Sequence, residues 1–247
     1  GQVAVITGGL GGIGYVSAKK FQKEGAEVVI IDIVDQKKIK LNISGMTYFQ
    51  CDITKEKNLK GIFDKISEKY GGVDILISNA GFATVESLEN LSKNQLDKSL
   101  DLNLFAHHYF VKHGVAIMKR QKTRGVVLFN ISKQAVNPGK NYAAYGLPKA
   151  ALLFLMKQYV VEYSDHGIRF NGVNADRIRS GLMTDDMIAK RSKARGLSIQ
   201  QYMSGNLLKR EVKAIDVADA FYHLALSYKS TASVITVDGG NIESSFR

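Results

Sequence analysis

Tyr145 and Lys149, four positions apart in a segment with a helical pattern, could do acid–base chemistry together. Residues i and i+4 lie on one face of a helix, so the phenol and the ammonium can point into the same site. A free tyrosine has a pKa of about 10, and a neighbouring cation lowers it by favouring the phenolate. Such a tyrosine can take a proton from an alcohol as hydride leaves, or give one to a carbonyl in reverse. Because this spacing also arises by chance in many helices, the pair needs support from elsewhere in the chain.

A glycine-rich turn after the first apolar run is the second feature with chemical meaning. The run Gly8-Gly9-Leu10-Gly11-Gly12-Ile13-Gly14 satisfies both G-x-G-x-x-G and G-x-x-x-G-x-G. Glycine permits a tight turn that brings backbone N–H groups to a pyrophosphate, and the following helix N-terminus attracts the anion. Glycine-rich turns also serve plain packing, but this one stands between a predicted strand and a predicted helix. It therefore predicts a dinucleotide site.

The kind of dinucleotide is predicted by Asp32, which closes the second apolar run, 18 residues after Gly14. A carboxylate at this place can accept hydrogen bonds from both ribose hydroxyls of an adenosine, and it would repel a 2′-phosphate. The glycine turn contains no Lys or Arg, and Ile33 rather than Arg follows Asp32. NAD is therefore favoured as the cofactor, with NADP as the less favoured alternative.

Short β-branched runs and longer amphipathic segments alternate along the chain and must position these residues. Apolar runs predict strands at 3–7, 27–32, 46–50, 73–78, 125–131, 168–174 and 234–237. Helical patterns cover about 12–24, 55–69, 93–119, 142–164 and 215–228, and Pro148 is expected in the first turn of its helix. We predict an α/β fold with a doubly wound, Rossmann-type, mostly parallel seven-stranded sheet and helices on both faces.

The 247 residues are predicted to form one dinucleotide-binding domain, since no Pro- or Gly/Ser-rich linker divides them. Residues 179–211 are charged and helical in pattern but have no neighbouring strand. We expect this insertion to form a lid over a substrate site at the carboxyl ends of the strands. The chain starts at Gly1 rather than methionine, which indicates either a trimmed chain or a module taken from a longer protein.

Composition excludes several other classes of protein. One cysteine cannot form an internal disulfide, no apolar run reaches the ~20 residues that span a bilayer, and the N-terminus lacks a secretory signal. These features predict a cytoplasmic protein with no membrane partner. The net charge of +11 could attract nucleic acid, but the basic runs lack interleaved aromatics and any nucleic-acid motif. No nucleic-acid partner is therefore predicted.

Three histidines, His107, His108 and His113, stand on one predicted helix. Neither a cysteine nor a carboxylate completes a zinc-type spacing with them, so no metal site is predicted. They are expected at the surface or at a contact between subunits.

The order of the motifs resembles the short-chain dehydrogenase/reductase family over nearly the whole chain. The glycine turn matches the family's T-G-x-x-x-G-x-G, and Tyr145 with Lys149 matches its Y-x-x-x-K. Ser132, 13 residues before Tyr145, matches its catalytic serine. Further matches are Cys51-Asp52-Ile53 with its adenine-contacting segment, Asn79-Ala80-Gly81 with its N-A-G, Asn103 with its helix asparagine, and Val237-Asp238-Gly239-Gly240 with its closing strand and turn.

The resemblance implies an NAD-dependent alcohol dehydrogenase or carbonyl reductase acting on a small molecule. Ser132 would hold the substrate oxygen, and Tyr145 would act as general acid and base. Lys149 would lower the pKa of Tyr145 and bind the nicotinamide ribose, while Asn103 would position a water that relays protons from Lys149. The implied cofactor-binding residues are Gly8, Gly11, Gly12, Ile13, Gly14, Asp32, Asp52, Ile53, Asn79, Ala80, Gly81, Tyr145, Lys149, Ile178 and Ser180.

Two segments depart from the family pattern. The family's N-I-S-S reads here Asn130-Ile131-Ser132-Lys133, so alignment on Asn130 would put Lys133 in the catalytic serine position. We favour Ser132, because a charged lysine cannot accept a hydrogen bond from the substrate alcohol. After the sixth strand, Asp176, Arg177 and Arg179 add charge, which indicates either a polar or anionic substrate or a salt bridge within the lid.

Residues 132–141 and 174–182 also resemble the dehydrogenase half of bifunctional aldolase/dehydrogenase proteins of sugar catabolism. That resemblance implies a hydroxy-aldehyde or a sugar derivative as substrate. Helices with apolar residues on more than one face, together with the family's common homotetramers, imply a homo-oligomer, either a tetramer or a dimer. The alternative function is a non-catalytic dinucleotide sensor or scaffold of the same fold, which the intact Ser132, Tyr145 and Lys149 disfavour.

Overall fold

The computed structural model describes residues 1–121 and 123–241, so residues 122 and 242–247 of the predicted domain lie outside the described residues. Its centre is one sheet of seven strands in the order β3-β2-β1-β4-β5-β6-β7, and every neighbouring pair is parallel. The strands are Val3–Thr7 (β1), Glu27–Asp32 (β2), Thr47–Gln50 (β3), Ile75–Ser78 (β4), Val126–Asn130 (β5), Arg169–Ala175 (β6) and Val234–Val237 (β7). The predicted α/β fold is confirmed.

Apolar residues at nearly every strand position follow from burial of the sheet on both faces. In β1, Val3 and Val5 pack into one core layer, while Ala4 and Ile6 pack into the layer on the opposite face. Successive side chains of a strand point to opposite faces, so a strand buried on both sides cannot alternate between apolar and polar residues.

Helices cover both faces of the sheet. They are Gly12–Lys23 (α1), Glu56–Tyr70 (α2), Lys93–Leu100 (α3), Ala106–Gln121 (α4), Ala143–Tyr163 (α5), Asp185–Ala194 (α6), Ile199–Met203 (α7) and Ala214–Leu226 (α8). Apolar residues of α2, α4 and α5 enter the first core layer, and those of α1 and α8 enter the second. Within the described ranges, no helix has the length and apolar character needed to cross a bilayer.

Two local predictions differ from the structure. The predicted helix 93–119 is interrupted by a π-helical turn, Asp101–Phe105, whose wider spacing turns Asn103 toward the backbone of Phe82. The placement of Pro148 in a first helical turn is wrong, because α5 begins at Ala143 and Pro148 lies in its second turn. The helix starts earlier because the carbonyl of Tyr142 accepts the N–H groups of Tyr145 and Gly146, at 3.0 and 2.7 Å.

The sheet order reverses direction between β1 and β4. The chain leaves β1 toward β2 and β3, then returns to place β4 on the other side of β1. In open parallel sheets, a crevice forms at such a reversal, beyond the carboxyl ends of the strands. The predicted site residues follow those strand ends.

Candidate active site

A cavity of about 700 Å³ lies along the carboxyl ends of the strands. All the predicted site residues line it except Gly14 and Asn103, which lie just behind its wall. The structure therefore brings the glycine turn and the Ser132–Tyr145–Lys149 group to one continuous cavity. In the described part of the chain, no group of three or more His, Cys, Asp or Glu side chains is placed to hold a metal ion.

The glycine turn is compact because its backbone folds back on itself. Gly8 has a positive φ of +62° and accepts a hydrogen bond from the N–H of Gly11 at 3.1 Å. A Cβ atom added to Gly14 would lie 2.1 Å from the carbonyl oxygen of Gly8, so α1 can approach the turn only with glycine at that position. Gly11 and Gly12 thus present backbone alone to the cavity.

Asp32 is held against the glycine turn by main-chain donors. Its two carboxylate oxygens accept hydrogen bonds from the N–H of Leu10 at 3.0 Å and the N–H of Val34 at 3.3 Å. Asp52, after β3, accepts from both the N–H and the hydroxyl of Thr54, at 3.0 and 2.7 Å. Both carboxylates are therefore oriented before any ligand arrives.

Asn79 joins the ends of three neighbouring strands. Its side-chain amide donates to the carbonyl of Thr7 at 3.0 Å, and its side-chain oxygen accepts from the amide of Asn130 at 2.9 Å. The hydroxyl of Thr7 accepts the N–H groups of Asn79 and Ala80, at 3.0 and 3.2 Å. These bonds fix the edge of the cavity between β1, β4 and β5.

Ser132, Tyr145 and Lys149 form a buried group. The side chains of Ser132 and Tyr145 are hydrogen-bonded to each other. Lys149 is only 2% exposed and donates to the carbonyl of Asn130 at 2.8 Å, with its Nζ 5.8 Å from the centre of the Tyr145 ring. Ser132, and not Lys133, lines the cavity beside the tyrosine, as the spacing from Tyr145 predicts.

Burial disfavours the charged forms of Tyr145 and Lys149. It raises the pKa of Tyr145 to about 12, against a lowering by the hydrogen bond from Ser132. It also lowers the pKa of Lys149 to about 7. The sequence predicted that Lys149 would lower the pKa of Tyr145, but desolvation is the larger effect on that phenol. At neutral pH the tyrosine is therefore a protonated donor.

Asn103 and His107 lie one helical turn apart behind the cavity wall. The side chain of Asn103 accepts the N–H of Phe82 at 3.2 Å and donates to the carbonyl of Phe82 at 3.0 Å. His107 is buried rather than at the surface or a subunit contact as predicted, because the Ser78 hydroxyl provides a partner for its Nδ1 at 2.6 Å. Burial and the nearby charge of Lys149 hold its pKa well below the usual range, so the ring is neutral.

The arginines after β6 stabilise the 176–212 segment. Arg179 forms ion pairs with Asp185 at 2.5 Å and Glu211 at 2.7 Å. Arg177 pairs with Asp176 at 3.5 Å and donates to the carbonyls of Tyr202 and Gly205, at 2.9 and 3.2 Å. Of the two interpretations of this charge, the structure therefore shows salt bridges within the segment.

Sequence reasoning missed several residues of the cavity. Among them are Phe82, Lys98, Gln134, Tyr142, Met187 and Arg191. Tyr142 stands three residues before Tyr145, a spacing that could have identified it. Arg191 lies in a charged run typical of a solvated helix face, and only the folded chain shows that it turns inward.

The sequence and the fold of this chain are similar to those of known proteins. The profile of the family described as Enoyl-(Acyl carrier protein) reductase matches residues 8–241. The chain is 34% identical to (+)-borneol dehydrogenase 1 of Salvia officinalis, over 97% of this chain and 93% of that protein. It is 32% identical to the uncharacterized oxidoreductase YuxG of Bacillus subtilis over 97% of this chain, and it spans only 37% of that longer protein.

A solved structure with a similar fold is the ligand-free aldohexose dehydrogenase of Thermoplasma acidophilum. It superimposes with a TM-score of 0.83 at 28% identity, over 97% of this chain and 93% of that one. Together with the ordered motifs in the cavity, these matches confirm the resemblance found in the sequence. The chain belongs to the short-chain dehydrogenase/reductase family, whose members are oxidoreductases of alcohol and carbonyl groups.

Proposed function

We propose that this protein is an NAD-dependent dehydrogenase or reductase that interconverts a small alcohol and its carbonyl counterpart. The observation that carries the proposal is the hydrogen-bonded Ser132 and Tyr145 pair, with Lys149 buried beside it, in the cavity that contains the glycine turn. A dinucleotide sensor or scaffold would need the turn and Asp32 but would not need a phenol aimed into the cavity.

The residues present fit a nicotinamide dinucleotide. Gly11 and Gly12 offer backbone alone at the start of α1, where a pyrophosphate is favoured by N–H groups and by the helix dipole. Asp32 would hold the adenosine ribose, Asp52 and Ile53 would flank the adenine, and Lys149 would bind the second ribose. Ile178 and Ser180 would meet the carboxamide, with the 79–81 segment between the two halves. Bound there, the cofactor supplies or accepts the hydride.

Asp32 supports NAD as the cofactor. Its carboxylate oxygens are already fixed by main-chain N–H groups but retain lone pairs for ribose hydroxyls. A 2′-phosphate would meet this negative charge at close range. We expect Asp32→Ala to lower the ratio of NAD to NADP affinity, measured by titration of both reduced cofactors. A loss of overall stability would weaken both cofactors alike, so an unchanged ratio would contradict the assigned role.

The proton steps follow from the protonation states in the buried group. In carbonyl reduction, Ser132 donates a hydrogen bond to the carbonyl oxygen while the phenol of Tyr145 gives that oxygen its proton. A protonated Lys149 would then stabilise the phenolate and return a proton to it, and Asn103 would position a water that reprotonates Lys149 from solvent. In alcohol oxidation, Tyr145 takes the proton instead. A protonated Lys149, together with the positive ring that an oxidised nicotinamide would bring, would lower its pKa for that role.

Residues 179–211 are proposed as the lid over the substrate. This segment carries α6 and α7 with a small core of Met183, Ile188, Tyr202 and Met203. Met187 and Arg191 of α6 line the cavity directly. A small hydroxy-aldehyde or sugar derivative is proposed as substrate, supported by the similarity to part of a longer oxidoreductase and to an aldohexose dehydrogenase.

A homo-oligomer, either a tetramer or a dimer, is proposed from the outer face of α5. Leu147, Phe154 and Val161 are spaced seven apart and are 55%, 70% and 81% exposed. Apolar residues at this spacing form one stripe along a helix, and another subunit would cover it. The cytoplasm is the proposed location.

The proposal is tested by oxidation of a panel of hydroxy-aldehydes, polyols and hydroxy acids, with reduced cofactor formation followed by absorbance. Wild type is compared with Tyr145→Phe and with Tyr163→Phe, a control at the far end of α5. We expect Tyr145→Phe to lose about 10²- to 10⁴-fold in kcat while keeping its affinity for NADH. If wild type never exceeds Tyr145→Phe on any compound and yet binds NADH, the sensor or scaffold function is correct.

A further inference from the structure

We propose that the substrate carries an anionic group, a carboxylate or a phosphate, which Arg191 and Lys98 bind in the cavity. This inference rests on the proposed function, because it names the class of compound on which Ser132 and Tyr145 act. It concerns two cations that the proton steps do not use. Both line the cavity that contains the reacting group.

Arg191 reaches the reacting group through an aromatic side chain. Its guanidinium carbon lies 4.5 Å from the centre of the Tyr142 ring, and that ring is 6.5 Å from the ring of Tyr145. One side chain, that of Tyr142, therefore separates Arg191 from the phenol that would transfer the proton. Because both residues line the same cavity, a small substrate with its hydroxyl at Tyr145 would have its charged end near Arg191.

Among the described residues, Arg191 shares with Lys193 and Arg195 the lack of a carboxylate partner, but of these three cations it alone lines the cavity. Arg177, Arg179 and Lys190 of the same segment all form ion pairs with acidic side chains. Within residues 1–121 and 123–241, neither Arg191 nor Lys98 is within ion-pair distance of an Asp or Glu side chain. The proposed lid thus neutralises its other cavity-lining arginine and leaves this one available.

Carboxylates lining the cavity do not compete for Arg191. Asp32 and Asp52 accept local hydrogen bonds at the ends of β2 and β3. Asp176 pairs with Arg177 and accepts from the side-chain amide of Asn241 at 2.8 Å. The described carboxylates of the cavity therefore have hydrogen-bond partners of their own, and neither Arg191 nor Lys98 is one of them.

The planar shape of the Arg191 guanidinium suits a flat or a tetrahedral anion. The guanidinium of Arg191 lies over the ring of Tyr142, a contact that a planar guanidinium can make through its face while its N–H edges donate elsewhere. Carboxylates and phosphates accept two parallel hydrogen bonds from such an edge, and the half-buried position of Arg191 reduces screening by water. Lys98, at the exposed rim, would add a second charge.

The test compares matched charged and neutral substrates with the NAD-loaded enzyme. The pairs are 3-hydroxybutyrate with 3-hydroxybutyramide, and glycerol 3-phosphate with glycerol, so the two pairs distinguish a carboxylate from a phosphate. The variants are Arg191→Met, Arg191→Lys and, as a control on the exposed face of α6, Lys193→Met. A charge-assisted hydrogen bond is worth about 1.5–3 kcal/mol, which corresponds to about 10- to 150-fold.

We expect the charged member of at least one pair to have a kcat/KM at least about 10-fold above its neutral partner. Arg191→Met should remove most of that advantage through KM, Arg191→Lys should keep part of it, and Lys193→Met should keep all of it. Equal values for charged and neutral members, with turnover still dependent on Tyr145, would overturn the inference and leave the proposed function standing.

A binding measurement covers the case in which no compound is turned over. The enzyme–NADH complex is then titrated calorimetrically with 3-hydroxybutyrate and glycerol 3-phosphate. Binding that weakens about 10-fold or more in Arg191→Met, with no change in Lys193→Met, supports the anion site even though the proposed reaction has failed. Absence of binding, or binding equal in all variants, overturns the inference.

Discussion

The two sides of the cavity are built by different physical means. The side formed by β1, β2, β4 and β5 consists of buried strand ends, backbone hydrogen bonds and glycines that leave no room for a Cβ atom. The opposite side, residues 176–212, is held by exposed ion pairs and a core of four buried residues. The first side is fixed by packing, whereas the second is fixed mainly by ion pairs that are partly exposed to solvent.

This difference explains where sequence patterns succeed and where they fail. A glycine whose Cβ would collide with a backbone carbonyl has no substitute, so its spacing forms a motif. An arginine at the surface of a short helix can face solvent, an acidic neighbour or a cavity, and its position along the chain does not decide among them. Substitutions on the two sides should therefore differ in how much they change stability and in which property of the protein they change.

The largest effect is expected at Lys149, whose burial lowers its pKa to about 7. Between pH 7 and the usual lysine pKa of about 10.4, the unfolded chain binds a proton there that the folded chain does not. The unfolding free energy of wild type relative to Lys149→Met should therefore rise with pH over this window, by up to about 1.4 kcal/mol per pH unit.

Denaturant unfolding of both proteins at pH 7 to 10 measures this difference. Below pH 7 the lysine is protonated in both states, so the difference should be flat. A difference that stays constant from pH 7 to 10 would show that Lys149 is fully charged in the folded protein. The same variant should lose catalysis, because Tyr145 loses the amine that would exchange protons with it.

A smaller effect is expected for Gly14→Ala, with Gly61→Ala as its matched control. The new methyl group at position 14 meets the Gly8 carbonyl at 2.1 Å, whereas at position 61 in α2 it meets nothing within 4 Å. Gly14→Ala should lower the unfolding free energy by about 1–3 kcal/mol and weaken NADH binding. Gly61→Ala should raise the unfolding free energy by up to about 1 kcal/mol, because alanine favours the helix.

Thermal and denaturant unfolding measure the stability of both variants, and titration with NADH measures their affinity for the cofactor. If Gly14→Ala binds NADH as tightly as Gly61→Ala does, the close approach of α1 to the turn is not needed for cofactor binding.

The smallest effect on stability is expected on the lid side, for Arg179→Ala. Its ion pairs with Asp185 and Glu211 are partly exposed, and such pairs contribute at most about 1 kcal/mol each. Global unfolding should change little, but the segment should open more often. Limited proteolysis should therefore cut between residues 184 and 205 several-fold faster in Arg179→Ala than in Lys190→Ala, which removes a pair within α6. Equal rates of cutting would mean that Arg179 does not hold the segment closed.

The fold could be predicted from the sequence because strands buried on both faces are apolar at consecutive positions. The ends of β1, β2 and β7 agree with their predicted limits, and the glycine turn and Tyr145–Lys149 pair lie where the motifs place them. The predictions that were wrong concern residues whose hydrogen-bond partners are remote in the chain. His107 is polar and yet buried because Ser78 is its partner, and the π-helical turn at Asn103 depends on the backbone of Phe82.

The central claim is that Tyr145 transfers the proton that accompanies hydride transfer, and a single-turnover experiment tests it most directly. Enzyme in excess over cofactor is mixed with an oxidisable substrate, and formation of the reduced nicotinamide is followed in time for wild type, Tyr145→Phe and Tyr163→Phe. We expect the rate to fall about 10²- to 10⁴-fold in Tyr145→Phe alone, and the wild-type rate of oxidation to rise with pH as the phenol loses its proton. An equal rate in all three proteins, independent of pH, would contradict the account.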